Sequence, residues 1–121
     1  MTLRQCIGQL DSLLHNTYTD HQKILWLSAL DGQIQAQILD THEGDTVPFV
    51  PYGPEDMDRP LLVGPPFEEL YLHYLLSRIH YHDGEIDRYN NAVALFDHLY
   101  NNYVNHYNRT RRPKGATFRY F

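Results

Sequence analysis

The stretch DGEIDRYNNAVALFDHLYNNYVNHY, residues 83–107, decides how this chain folds. Asp83-Gly84 is a break. After it Ile86, Tyr89, Val93, Phe96, Tyr100, Tyr103 and Tyr107 recur at alternating steps of three and four residues. That is the period of a helix with one apolar seam, and Leu95, Leu99 and Val104 widen the seam. On the other side of the break, Phe67 to Tyr81 is apolar on nearly every side, which predicts a central helix. A short break between two helices predicts an antiparallel hairpin.

Two further helices precede this pair. Thr2 and Gln5 have capping-box spacing, and Leu3, Ile7, Leu10 and Leu14 form one stripe that runs out near His15-Asn16. Thr19 and Gln22 repeat the pattern ahead of Leu27, Leu30, Ile34 and Ile38, with Ile24 and Trp26 at the flanks. This helix should end around Asp40-Thr41. Gly32 weakens its middle by roughly 1 kcal/mol relative to Ala, and suggests a close helix crossing. The fold class is therefore all-α, a bundle of about four helices.

Residues 42–66 interrupt it. Six of the seven prolines lie there, with Gly44, Gly53 and Gly64, so regular helix is excluded. Val47–Tyr52 and Leu61–Val63 could each be briefly extended, although proline confines the first to an edge. The segment's apolar residues must pack on something: the chain's own core or a neighbouring subunit. Pro65-Pro66 suits the first turn of the next helix, with Glu68 and Glu69 at the positive end of its dipole.

Charge divides the molecule. The net charge of −5 hides a basic end: Arg109, Arg111, Arg112, Lys114 and Arg119 are half of the ten basic side chains, and 109–121 contains no acid. Residues 1–108 are left at −10. The domain reading is thus a helical body over 1–108 and an extended basic-aromatic tail over 109–121 that ends Phe118, Arg119, Tyr120, Phe121. Phosphate neutralisation with base stacking would make the tail a nucleic-acid arm. A frayed terminus without a partner is the third reading; terminal aromatics favour a peptide that docks on a protein, since phosphate binding needs charge and not Phe-x-Tyr-Phe. Ten tyrosines suit subunit contacts, and Phe49, Val50, Tyr52, Tyr100, Tyr103 and Tyr107 are the interface candidates.

Catalytic signals are missing. No nucleophile elbow, phosphate loop or nucleotide fingerprint occurs, so the expectation is a protein that is not an enzyme and needs no cofactor. Cys6 lies alone on the first helix and reads as a small buried hydrophobe. A single cysteine allows no internal disulfide and fits a reducing compartment. Eight histidines raise the question of metal, but none pair at the helical spacing a site requires. The one possible cluster is His80, His82, Asp83, Glu85 and Asp87 at the break. No apolar run is long enough to span a bilayer, and the opening MTLRQCIGQLDSLL lacks the basic region of a signal peptide.

Four segments together carry a resemblance: KILWLSALDGQI at 23–34, PFEELYLHYL at 66–75, DGEIDRYNNAVALF at 83–96 and YNRTRRPK at 107–114. Their order resembles the head–tail connector (adaptor, head-completion) proteins of tailed bacteriophages and prophages. The likeness covers most of the chain and weakens at 42–64. It implies a virion structural protein of the neck, assembled in the host cytoplasm. Such a protein forms a ring, usually of about twelve copies, between the portal protein and the tail or its stopper. Genomic DNA would pass through without specific binding, and no membrane would be involved. The resemblance also implies that the tail, through Arg109, Arg111, Arg112, Lys114, Phe118, Arg119, Tyr120 and Phe121, meets the portal or a neighbouring subunit.

Overall fold

A computed structural model describes residues 1–42 and 47–110. Among these the fold is four α-helices and no strand: α1 Leu3–Leu13, α2 Asp20–Gln37, α3 Glu69–His82 and α4 Ile86–Thr110. The all-α bundle expected from periodicity is the observed architecture.

Both N-terminal caps form. Thr2 Oγ1 accepts from the Gln5 amide at 3.2 Å, and Gln5 Oε1 accepts from the Thr2 amide at 3.0 Å. Thr19 Oγ1 accepts from the Gln22 amide at 3.1 Å. The next amides of α1 are served from the irregular segment. Leu3 donates to the Arg59 carbonyl and Arg4 to the Met57 carbonyl, at 3.2 and 2.8 Å. The loop thereby satisfies orphan donors that a helix start always leaves.

The central helix is α3. From Leu70 to His80 none of its residues is exposed, and Leu70, Tyr71, Leu75 and Ile79 are fully buried. It packs on α1 and α2 on one side and on α4 on the other. Leu3, Cys6, Ile7 and Leu10 of α1 and Ile24, Leu27, Leu30 and Ile34 of α2 complete the core. Lys23, itself buried, reaches Asp11 at 2.6 Å and ties α2 to α1. That hydrogen bond and the cation hold the Asp11 carboxyl below its ordinary range, against the opposing effect of desolvation. Burial pushes the Cys6 thiol up to about 12, reinforced by the nearby Asp31 carboxylate, so no thiolate forms at neutral pH.

The break turns on Gly84, whose φ of 74° lies in the left-handed region. Glu85 N–H returns to the His80 carbonyl at 2.9 Å and closes the end of α3. Side-chain pairs then run antiparallel: Tyr81 meets Tyr89, Tyr74 meets Phe96, and Phe67 meets Tyr103. At 25 residues against 14, α4 extends past the start of α3 and lies over the loop.

Several expectations need correction. The second helix stops at Gln37, and Leu39–Thr41 is a tight 3-10 turn. Gly32 marks no helix crossing: the Phe49 ring covers it, 3.5 Å from where a Cβ would stand. Pro65 and Pro66 precede α3 in a turn and are not its first residues, since proline restrains the residue before it from helix. The extended stretches form no strand; among the described residues the loop pairs with the body at an isolated bridge, Thr2 with Pro60. Ile86 opens the predicted seam but is 60% exposed, in the first turn of α4 beside the connection to α3. Finally α4 continues through Arg109 to Thr110, whose hydroxyl donates to the His106 carbonyl, so the expected tail boundary at 109 falls inside the helix.

Candidate docking surface

The irregular segment is fastened to the body by one buried carboxylate. Asp31 of α2 is 0% exposed. Its Oδ1 accepts from Tyr71 Oη at 2.6 Å, and its Oδ2 accepts from Tyr52 Oη and from the Leu62 amide. Tyr71 Oη in turn accepts from the Val63 amide at 2.8 Å. Arg59 covers the Tyr52 ring, its guanidinium carbon 4.6 Å from the centroid. Burial raises the Asp31 carboxyl above its ordinary value, partly opposed by the hydrogen bonds from Tyr52, Tyr71 and Leu62. Burial and the same carboxylate push the Tyr52 and Tyr71 hydroxyls up, so both remain donors. Enclosed on all sides, Asp31 positions the loop: it holds 52–63 against α2 and α3.

The surface so positioned meets the last turns of α4. His42 is the junction. Its Nδ1 lies 2.6 Å from the Ile38 carbonyl and its Nε2 2.7 Å from Asn108 Oδ1, while the Tyr107 ring stands edge-on at 4.7 Å. A carbonyl only accepts, so Nδ1 carries a proton there. Phe67 of the loop sits between Tyr103 and His106, at 5.6 and 5.1 Å between centroids. Among the described residues two clefts result, which share Leu39, Leu62 and Tyr107 in their lining. Phe49, Val50 and Tyr107 line the first, and Tyr103, Tyr107 and Thr110 the second. Their volumes, about 270 and 300 Å³, lie at the lower limit for small-molecule pockets.

The interface candidates thus separate. Phe49, Val50 and Tyr107 come together at the first cleft, with Val50 60% exposed. Tyr103 is buried against Phe67 and Tyr107, with only its edge at the second cleft. Tyr100 lies apart, half-buried on Phe96. Tyr52 is a core residue, 5% exposed with its hydroxyl committed to Asp31, so its ring offers no surface to another subunit. Arg109 is exposed in the last turn of α4, where a cation suits the negative end of the helix dipole. Arg111, Arg112, Lys114, Phe118, Arg119, Tyr120 and Phe121 lie outside the described residues.

The histidine cluster considered at the break is dispersed. His80 faces Glu85 at 3.4 Å, His82 stacks on Trp26 at 5.6 Å, and Asp83 accepts from Tyr18 Oη at 2.6 Å. Among the described residues no three His, Cys, Asp or Glu side chains are grouped to hold an ion, and no helix is long and apolar enough to cross a membrane.

A scan against models of known protein families finds no match to this chain, and searches of curated proteins and of solved structures find none either.

Proposed function

We propose that the chain is a structural adaptor of a tailed-phage neck, a homo-oligomeric ring that joins the portal protein to the tail or its stopper and continues the DNA channel. The observation that carries this reading is the charge partition. Fifteen acids lie within 1–108, and half of the basic side chains lie in 109–121. A channel wall that must let DNA slide works best when it does not bind phosphate, and an acidic body meets that need. The basic-aromatic tail then has protein as its dock, and it continues from the helix end that borders the two clefts.

The test is co-purification with the portal protein encoded in the same genome. Truncation after Thr110 keeps α4 whole and removes the tail. The truncated chain should retain its helical far-UV spectrum and lose portal binding; undiminished binding would sink the tail assignment. A second reading, a nucleic-acid-binding accessory protein, draws on the same basic side chains. It requires duplex affinity that falls steeply with salt and disappears on neutralising Arg109, Arg111, Arg112 and Lys114.

A further inference from the structure

Six basic side chains lie among the described residues, and four stand within 4 Å of a carboxylate: Arg4 with Asp58, Lys23 with Asp11, Arg59 with Asp56, Arg88 with Glu85. Arg109 is exposed at the end of α4. Arg78 fits neither description. It is half-buried and has no carboxylate partner among the described residues, in a chain with fifteen acids and ten bases. Its guanidinium carbon lies 5.7, 5.4 and 5.9 Å from the ring centroids of Tyr74, Tyr81 and Tyr89. Its Nε is buried and donates to nothing.

Ring faces attract the cation but offer no lone pair along the N–H directions. A guanidinium presents a planar fork that matches a carboxylate in bidentate geometry. The surroundings are those of a protein contact. Tyr81 is 53% exposed and lies near the turn that joins α3 to α4. Tyrosine and arginine are residue types enriched in interface cores.

We propose that the notch formed by Tyr74, Arg78, Tyr81 and Tyr89 is a subunit contact that receives a carboxylate side chain from a second copy of this chain. Charge complementarity argues for a second copy. Asp20, Glu55, Glu69, Asp87 and Asp97 are exposed and form no ion pair among the described residues. Every copy therefore brings exposed acids together with a half-buried arginine that has no carboxylate within reach among the described residues. The inference rests on the ring reading above and names one of its contacts.

The experiment is sedimentation equilibrium of the full chain alone across a concentration series, with R78Q, R78K and Y81A beside the wild type. Far-UV spectra and urea midpoints check folding. The wild type should self-associate, and R78Q should weaken association at least tenfold. R78K keeps the charge without the fork and should fall between. Y81A removes an exposed wall of the notch and should weaken association even if R78Q misfolds. Charge reversal identifies the acid: R78E combined in turn with D20K, E55K, E69K, D87K or D97K should restore association for the true partner. A wild type that stays monomeric at every concentration overturns the proposal, as does a folded R78Q or Y81A that associates like the wild type. The assay contains no portal protein and leaves the tail intact. A negative result with portal binding preserved counts against the notch alone, whereas R78Q that self-associates but loses portal binding assigns the notch elsewhere.

Discussion

Helices α3 and α4 are neighbours in one hairpin, and both are rich in leucine and tyrosine, yet they occupy opposite positions in the molecule. From Leu70 to His80, α3 exposes no residue; of the 25 residues in α4 only Ala92 and Tyr103 are buried. The difference lies in what covers each. Three helices enclose α3, whereas α4 has one helix and a loop beneath it and solvent beyond. On the outer helix Tyr89 and Tyr100 are half-buried and keep part of their rings at the surface, whereas the tyrosine Tyr71 on α3 is enclosed. Apolar content alone therefore does not distinguish core from interface; the number of covering layers does.

The comparison breaks first at matched leucines. Leu75 on α3 is 0% exposed and Leu95 on α4 is 50% exposed. Leu75→Ala should cost about 2–5 kcal/mol by urea denaturation, as expected for a core cavity. Leu95→Ala should stay within about 0.5 kcal/mol in the isolated chain. Equal costs would mean that α4 is core as well.

Asp31 gives a second, smaller contrast, read in the pH dependence. Its folded carboxyl is raised by burial, so the native state holds the proton more tightly than the unfolded chain. Stability from this group is full below the ordinary aspartate value of about 3.9 and declines as pH rises toward the folded value. Asp11 has the opposite sign: its lowered carboxyl supports the fold above the ordinary value and loses that support as pH falls through the folded one. Denaturation of Asp31→Asn and wild type over a pH series should show any wild-type advantage largest in acid and shrinking as pH rises. An advantage that grows with pH would mean the carboxylate is net stabilising where it sits.

A modest gain in stability is expected at Gly32. A Cβ there would meet the Phe49 ring at 3.5 Å, an ordinary contact. Gly32→Ala should raise stability by about 1 kcal/mol, measured as a higher urea midpoint with an unchanged slope. A loss would mean that the Phe49 side of the loop is packed against α2 too tightly to yield.

Much of the fold was legible because it is local. Thr2 and Thr19 start helices by hydrogen bonds three residues long, and the leucine stripes of α1 and α2 repeat every turn. The hairpin follows from Gly84 and the two apolar runs beside it. The connections of the candidate surface were not legible, because they join residues far apart in sequence. Asp31 binds Tyr52 and Tyr71, His42 meets Asn108 across 66 positions, and Tyr18 reaches Asp83. Asp31 had a faint signal, an acid in phase with Leu27, Leu30 and Ile34 on an apolar stripe. A charge on that face requires buried partners, but periodicity does not say which.

By itself the sequence determined the helix class, the order of the four helices, the central place of α3 and the division of charge between body and tail. These depend on spacing and composition, which need no neighbours to be read. Only the tertiary structure decided that Tyr52 belongs to the core and Tyr107 to a cleft, and that Arg78 lies among tyrosines with no carboxylate partner among the described residues. Side chains of similar chemistry differ there only in what the fold places against them, and burial and pairing are properties of that placement.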